Sequence, residues 1–339
     1  MDLALTADQR AIQEAFTDVF TREAKTTHGS AAVETGFDTT LWTLVAELGA
    51  VGIAVPDEAG GAGAGLLELV LVAEQAGRRI ACVPLVEAAV GARLLAATGG
   101  APLLLDDALA GRRLAVFAPR PAVDGVATVL PGGAVADAVV ALHGDQLVAV
   151  EGPAGEWIAD LGMMAVADRD LAGDGVTRTV LAEGDEAREH WARARDDWRI
   201  GTAALLNGLA AEAVAIGVCY ALERVQFGVP IAAFQALQQP LADIQTAVEG
   251  GELLAREAAW CRDRRLEDCA RLAPMAYAHA ARTAERAAAT SLHVHGGYGY
   301  TLEYDIQYYL RRAKALSLAD GDPELAWEAI GATAVAQEA

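Results

Sequence analysis

The stretch LERVQFGVPIAAFQ, residues 222 to 235, places a basic side chain, amides and aromatic rings at one corner of the chain. Arg224 falls where a long helical pattern ends, because Gly228 and Pro230 break that pattern directly after it. A guanidinium at such a corner can hold a phosphate through two parallel hydrogen bonds, with Gln226 and exposed backbone amides as further donors. The alternative is an ion pair between Arg and Glu side chains on a kinked helix surface, and the stretch taken alone favours it.

A second stretch, HVHGGYGY at residues 293 to 300, combines glycines with groups that can stack or form hydrogen bonds. Gly296 and Gly297 allow a ligand to approach the backbone closely. His293 and Tyr298 can stack on, or hydrogen-bond to, an adenine or a ribose. A helical pattern precedes these glycines, whereas the glycine turn of a Rossmann domain follows a strand, so that fold is not indicated. The alternative is a connection between two helices in which the glycines act as caps.

A third stretch, residues 309 to 322, carries a basic cluster followed by the pair Asp320-Gly321. The cations of the cluster are Arg311, Arg312 and Lys314. They are expected to complement the dipole of a helix or to pair with Glu303 and Asp305. Asp320 is either a general base held in a cleft or a polar residue in an ordinary turn, and most Asp-Gly pairs are turns.

Other catalytic signatures are missing from the sequence. It contains no GxSxG, HExxH or Walker-type stretch, so the serine-hydrolase, zinc-protease and P-loop classes have no support. The cysteines form neither a CxxC pair nor a cluster with histidines at metal-binding spacing: they are Cys82, Cys219, Cys261 and Cys269. We therefore expect no metal site and reduced, mostly buried thiols.

Composition and charge restrict the partners of the chain. Its 339 residues, 53% of them hydrophobic, suffice for a sizeable core, and the formal charge of -21 repels nucleic acid and anionic membranes. The N-terminal residues MDLALTADQRAIQEAF lack an apolar signal core, so we expect a cytoplasmic protein. The apolar run from 200 to 222 is long enough to span a bilayer but contains Asn207 and Glu212, which favours a buried bundle helix.

The three stretches depend on elements that the pattern of the chain predicts. Residues 1–110 are predicted to be helical, with Thr6 as the first N-cap and a glycine-rich loop over 55–65. Residues 111–190 contain short β-branched runs between turn residues, which indicates a small β domain. Over 191–339 the helical pattern returns in long segments: 198–225, 232–264, 268–294 and 301–318. An α+β fold with an α, β, α-bundle order follows.

In order and spacing, these motifs resemble those of the acyl-CoA dehydrogenase family. The stretches that carry the resemblance are VGIAVPDEAGGAGAGLLELVLVAEQAGRR (51 to 79), LERVQFGVPIAAFQALQQPLADI (222 to 244) and HGGYGYTLEYDIQYYLRRAKAL (295 to 316). The resemblance covers nearly the whole chain and implies an N-terminal α domain, a small central β domain and a C-terminal four-helix bundle. It also implies FAD as cofactor and removal of two hydrogens from the α and β carbons of an acyl-CoA, with a carboxylate base.

In this family the flavin lies across a subunit interface, and this chain resembles the neighbour's half of that site. The implied contacts to FAD are Arg224 and Gln226 at the diphosphate, Phe227 and Gly228 at the turn, Phe234 and Gln235 at the adenosine, and the backbone of Gly296 and Gly297. His293 stands where the family usually has Gln, which alters the geometry of that contact. This half of the site is expected to be competent.

The half that holds the flavin ring and the acyl thioester within one subunit is not matched. Ala118 and Pro119 stand where the family has Thr and Glu, and the Gly-Ser-Asp and Trp-Ile-Thr stretches are missing. Of the two base positions known in the family, one falls on Trp198, which cannot act as a base. The other falls on Asp320, which is one methylene shorter than glutamate. We therefore expect that the chain's own cleft holds no flavin ring.

Together these features resemble the short, non-catalytic subunit of the heterotetrameric (α2β2) acyl-CoA dehydrogenases of actinobacterial steroid side-chain degradation. The resemblance implies a homologous catalytic partner that carries the base and binds the acyl-CoA, a steroid side-chain thioester. It also implies an FAD shared across the interface. The alternative is a self-sufficient homo-oligomeric acyl-CoA dehydrogenase with Asp320 as base, and a flavin-free structural or CoA-binding protein is the third hypothesis.

Overall fold

The N-terminal part of the chain is built from helices. The computed structural model describes residues 4–24, 30–266 and 269–338. The first helix follows Thr6, as predicted, because the Thr6 hydroxyl accepts from the Gln9 amide while the Gln9 side chain accepts from the Thr6 amide. The helices of this part are α1 (Ala7–Glu23), α2 (Ala31–Thr35), α3 (Thr39–Glu47), α4 (Leu66–Arg78), α5 (Leu85–Thr98) and α6 (Pro102–Leu109).

The glycine-rich segment 55–65 is a loop between α3 and α4, as predicted, with one short 3₁₀ turn over Asp57–Ala59. At its end the backbone amides of Leu66 and Leu67 donate to the two carboxylate oxygens of Asp263, at 2.8 and 3.2 Å. A carboxylate at this position satisfies unpaired amides and meets the positive end of the helix dipole. The contact joins α4 to the C-terminal part of the protein.

The middle of the chain folds into strands, as the β-branched runs predict. The strands are β1 (Ala115–Phe117), β2 (Val126–Leu130), β3 (Ala138–His143), β4 (Gln146–Glu151), β5 (Ala167–Asp170) and β6 (Thr177–Glu183). β1, β3, β4 and β6 form one sheet in that order, with β1 parallel to β3 and the other pairs antiparallel, and β2 pairs with β5. β3 and β4 are buried over most of their length, which explains their nearly continuous apolar sequence.

Long helices form the remainder of the chain and pack into a bundle. The elements are α7 (Gly184–Glu223), β7 (Val225–Gln226), β8 (Val229–Pro230), α8 (Gln235–Asp263), α9 (Cys269–His295), α10 (Ile306–Leu318) and α11 (Pro323–Glu338). α7 begins at Gly184, before residue 191, where the helical part was predicted to start. Its first turns are formed by a charged segment. The segments predicted from the sequence omit α11, whose apolar residues do not repeat on one face.

The core of the bundle is α7, which lies against α4, α8 and α9. Glycines allow α4 and α7 to approach closely: a Cβ on Gly208 would lie 1.9 Å from the carbonyl oxygen of Glu74, and one on Gly77 would lie 2.0 Å from that of Leu205. Within the described residues, α7 is the one helix whose length and composition would suit a membrane span, and 50% of that apolar window is buried inside the protein. This burial is that of a core helix, as predicted.

The cysteines that can be placed agree with the prediction of mostly buried thiols. Cys82 and Cys261 are buried, and Cys219 is exposed on α7. The side chain of Cys269 lies outside the described residues. Across the described segments, no group of three or more His, Cys, Asp or Glu side chains is arranged to hold a metal ion.

Candidate functional site

The predicted phosphate corner is a short β-hairpin at the end of α7. β7 and β8 pair antiparallel, and the two residues between them, Phe227 and Gly228, have positive φ angles of 53° and 81°. Two-residue turns of this kind match the twist of the strands they join. Phe227 adopts this conformation without a glycine's freedom, and the residue is 93% exposed. We call this hairpin, together with Arg224, Phe234 and Gln235, the hairpin site.

Arg224 links the hairpin to the glycine turn. It caps the C-terminal end of α7 with its side chain exposed, and its guanidinium carbon lies 5.8 Å from the ring centre of Tyr298. Tyr298 belongs to the 3₁₀ turn Gly296–Tyr300. A Cβ added at Gly296 or Gly297 would meet nothing within 4 Å, so the backbone of this turn is open on that side.

The other predicted FAD-contacting residues lie at the ends of the neighbouring helices. Phe234 precedes α8 with its ring edge-on to Phe227, 6.2 Å between ring centres, and Gln235 is exposed at the first position of α8. His293 is exposed in the last turn of α9. The side-chain amide of Gln226 donates to the backbone carbonyl of the preceding residue at 2.7 Å, so in this structure it faces its own hairpin.

An aromatic cluster that the sequence analysis missed supports this corner. His295 is 3% exposed, and its ring stacks on Tyr220 at 4.1 Å between centres and meets Tyr304 edge-on at 5.3 Å. Its Nδ1 lies 2.7 Å from the carbonyl oxygen of Ser291 and therefore carries the donated hydrogen. Tyr298 adjoins the cluster at 6.2 Å from Tyr304, and Tyr304 in turn meets Tyr220 of α7, so the glycine turn is linked to α7 through this cluster. The sequence signal for this cluster was His295, the second histidine of HVH at the end of a predicted helix.

Asp320 lies in an ion-pair clasp. Its carboxylate is 5% exposed, with one oxygen 2.7 Å from Arg195 Nη2 and the other 2.7 Å from Arg199 Nε. Its backbone amide donates to the hydroxyl of Tyr277 at 3.3 Å. Both carboxylate oxygens are therefore engaged by cations of α7, and the clasp fixes the end of α10 to that helix. The two alternatives drawn from the sequence, base or polar turn, did not include this arrangement.

The basic cluster before Asp320 has partners other than those predicted. The expected pairing with Glu303 and Asp305 is wrong, because α10 directs these cations toward other segments. Lys314 pairs with a glutamate of α9 at 3.1 Å, and Arg311 donates to a backbone carbonyl in the loop before β5 at 2.7 Å. Arg312 is 7% exposed and lies inside the protein.

A narrow cleft inside the protein, which we call the inner cleft, lies between the α4–α5 connection, the loop before β5, α7 and α10. Its cavity measures about 30 Å³. Pockets that hold cofactors or drug-sized ligands usually measure about 300–1,000 Å³. Trp198 is fully buried beside this space, and its indole nitrogen donates to Glu87 Oε1 at 3.0 Å. Trp198, on which one of the two base positions implied by the resemblance falls, is thus a core residue.

Glu87 is a buried carboxyl group that the sequence analysis did not single out. Burial raises its pKa above the usual range, and the hydrogen bond from Trp198 and the positive charge of Arg312 offset that rise only in part. In the sequence, Glu87 is a lone acidic residue in the apolar stretch LVEAAVGA. Only the fold, which brings α7 and α10 alongside α5, shows that it lines the inner cleft.

Family models match both ends of the chain. The model described as acyl-CoA dehydrogenase, N-terminal domain, matches residues 6–101, and that described as acyl-CoA dehydrogenase, C-terminal domain, matches residues 194–335. The chain belongs to the acyl-CoA dehydrogenase family. Benzylmalonyl-CoA dehydrogenase from Aromatoleum aromaticum is 30% identical over 368 aligned residues, which cover 96% of this chain and 97% of that protein. Acyl-CoA dehydrogenase IpdE2 from Mycolicibacterium smegmatis is 29% identical over 86% of both chains.

Solved structures of acyl-CoA dehydrogenases share this fold over nearly its whole length. The steroid ACAD Tcur3481-Tcur3483 has a TM-score of 0.87 at 26% identity and covers 98% of both chains. The ChsE4-ChsE5 complex from Mycobacterium tuberculosis has a TM-score of 0.87 at 25% identity and covers 99% of both chains. The predicted α+β, acyl-CoA dehydrogenase-like fold is confirmed.

Members of this family bind FAD, and the two regions of this chain differ in how they fit it. The hairpin site offers an exposed guanidinium, exposed aromatic rings and an open glycine backbone, which suit a diphosphate and an adenosine. The inner cleft does not fit a three-ring isoalloxazine, because a cavity of about 30 Å³ remains between its side chains. The residues present therefore fit one end of FAD and not the other.

Proposed function

We propose that this chain is the non-catalytic subunit of a heteromeric, FAD-dependent acyl-CoA dehydrogenase. It completes the FAD site of a homologous catalytic partner across the subunit interface and supplies no catalytic base. The contrast between the two sites carries the proposal: the hairpin site is built and exposed, whereas the inner cleft is filled by the protein's own side chains. An exposed phenylalanine at the tip of a strained turn also suits a surface that a second subunit covers.

The residues of this chain bind and orient; they do not transfer protons. FAD, when bound, supplies the hydride acceptor for α,β-dehydrogenation of an acyl-CoA. Arg224 offers paired N–H donors to the diphosphate, the rings of Phe227 and Phe234 offer apolar faces to the adenosine, and the glycine turn offers backbone amides. Trp198 has no basic group, and the carboxylate of Asp320 is engaged by two arginines, so the base is assigned to the partner.

The partner and substrate class are proposed from the structural neighbours. One neighbour is described as a steroid ACAD and the other as a complex of ChsE4 with ChsE5, and each aligns with this chain over nearly its full length. We therefore assign this chain to an α2β2 assembly that acts on a steroid side-chain CoA thioester. The thioester is bound by the partner, because the inner cleft of this chain has no room for it.

Expression with and without a partner tests the proposal directly. The chain expressed alone is expected to lack the yellow absorbance of flavin. Co-expression with a longer homologue that carries the glutamate base is expected to give about one FAD per heterodimer, because each flavin needs both halves of its site. The measurement is flavin absorbance per protein after gel filtration, with each chain alone as the control. Stoichiometric FAD and turnover in the lone chain would rule out the proposed role.

Replacing Arg224 by alanine in the assembled enzyme is expected to weaken FAD binding by about 10- to 100-fold, because a charge-assisted bond to the diphosphate is lost. Arg224→Lys keeps the charge but lacks the planar pair of donors. Its affinity for FAD should therefore lie between those of the wild type and Arg224→Ala. The matched control is Arg22→Ala, an exposed arginine on α1, which should leave the affinity unchanged. FAD titration of the apo-complex, followed by fluorescence, measures the effect. Equal affinities for Arg224→Ala and Arg22→Ala would remove Arg224 from the site.

A further inference from the structure

Arg312 spans the inner cleft and binds both of its walls. Its Nη1 donates to the carbonyl oxygen of Ala81 at 3.1 Å, and its Nη2 lies 3.5 Å from the sulfur of Cys82, both in the α4–α5 connection. Nε donates to the carbonyl oxygen of Gly162 and Nη2 to that of Met163, both in the loop before β5. A guanidinium carries five N–H donors in a fixed plane, so one side chain can hold two segments together.

The backbone beside these carbonyls is held in an unfavourable conformation on both walls. Ile80 has a φ of 40° and Met163 has a φ of 57°, in the left-handed region that non-glycine residues rarely adopt. For a β-branched residue such as isoleucine this is an outlier. Such conformations persist where surrounding contacts impose them, and Arg312 binds the carbonyl of the residue after Ile80 and that of Met163 itself.

A buried carboxyl group lies in the same cleft. Glu87 lines the same cavity as Arg312; burial raises the pKa of this carboxyl group, and the positive charge of Arg312 offsets that rise only in part. Trp198 donates to Glu87 Oε1 at 3.0 Å. The side chains of Trp198, Glu87 and Arg312 therefore occupy the space between α5, α7 and α10.

We infer that Arg312 is a latch: it ties the α4–α5 connection to the loop before β5 and so closes this subunit's inner cleft to a flavin ring or an acyl thioester. The missing flavin motifs explain only why such ligands would bind poorly. The latch explains why the space itself is absent. This inference goes beyond the proposed function, because it concerns the chain's own cleft and holds whether or not a partner is bound.

Hydrogen–deuterium exchange with mass spectrometry on the full-length protein tests the latch. Arg312→Ala is expected to raise amide exchange by about tenfold or more in the peptides covering 79–85 and 160–166, with α9 unchanged. The matched control is Arg311→Ala, the adjacent arginine, which holds only the second of these segments by one bond. It should leave the peptide 79–85 unchanged. Exchange in both peptides within about threefold of the wild type, or an equal rise along the whole chain, would overturn the inference.

Arg312→Lys keeps the experiment decisive if the alanine variant does not fold. Lysine retains the positive charge but cannot reach acceptors on both walls with a planar fork. At least one of the two peptides should therefore exchange about threefold faster or more, and wild-type protection of both would refute the latch. The readout does not involve FAD or a partner, so its failure would leave the flavin stoichiometry of the assembled enzyme as a separate test.

Discussion

Replacing Asp320 by alanine is expected to lower the free energy of unfolding by about 3 kcal/mol, because the substitution leaves two cations without their shared carboxylate. The side chain of Asp320 is 5% exposed, whereas those of Arg195 and Arg199 are 29% and 18% exposed. Because water still reaches both arginines, we expect a loss of stability at the lower end of the range for a broken buried ion pair. Urea denaturation followed by circular dichroism measures it.

A control for this prediction lies on α7, the helix that carries Arg195 and Arg199. Glu189 pairs with Arg193 one turn later, and both side chains are more than half exposed. Glu189→Ala should therefore cost only about 0.3–0.5 kcal/mol, the usual value for an exposed pair of this spacing. A loss of similar size for Asp320→Ala and Glu189→Ala would show that the clasp does not hold α10 to α7.

The same residue distinguishes the proposed function from its alternative. Asp320→Asn keeps the shape of the side chain but removes the charge that a base requires. If this chain is the non-catalytic subunit, the assembled enzyme should retain turnover within about threefold of the wild type after allowance for stability. Loss of turnover in a protein that still folds and binds FAD would instead identify Asp320 as the base of a self-sufficient, homo-oligomeric enzyme.

The sequence predicted those features that neighbouring residues determine. Thr6 caps α1 through a residue three positions away, and the break after Arg224 follows from Gly228 and Pro230 within the same short stretch. The order of helices, strands and bundle helices follows from local periodicity in the same way. For this reason the hairpin and the glycine turn could be placed correctly at the ends of helices before their contacts were known.

The contacts of Arg312 and Asp320 could not be predicted, because they join residues far apart in the chain. Arg312 binds the carbonyl of Ala81, 231 positions away, and Arg195 binds Asp320, 125 positions away. Both arginines fit the pattern of solvated helix faces, which is the usual place for this side chain. Only the packing of α10 against α7 and the β domain determines that Arg312 becomes buried and that Arg195 binds Asp320 in the clasp.

Packing at the crossing of α4 and α7 gives the other large effect that we expect. Gly208→Ala should destabilise the protein by about 3–5 kcal/mol, because the added Cβ would lie 1.9 Å from the carbonyl oxygen of Glu74 and 2.8 Å from its carbonyl carbon. Backbone atoms cannot rotate away as a side chain can. The two helices must therefore separate. The contact is close from both sides, because a Cβ added at Gly77 of α4 would lie 2.0 Å from the carbonyl oxygen of Leu205 in α7.

Gly250→Ala is the matched control, since Gly250 also lies within a long helix but a Cβ there would meet nothing within 4 Å. This substitution should stabilise the chain by about 0.5–1 kcal/mol, because alanine restricts the unfolded chain and favours the helix. Urea midpoints of the two variants should therefore move in opposite directions from the wild type. Equal shifts of the same sign would mean that α4 and α7 can separate at little cost. In that case the close crossing would not be what fixes α7 and positions Arg224 at its end.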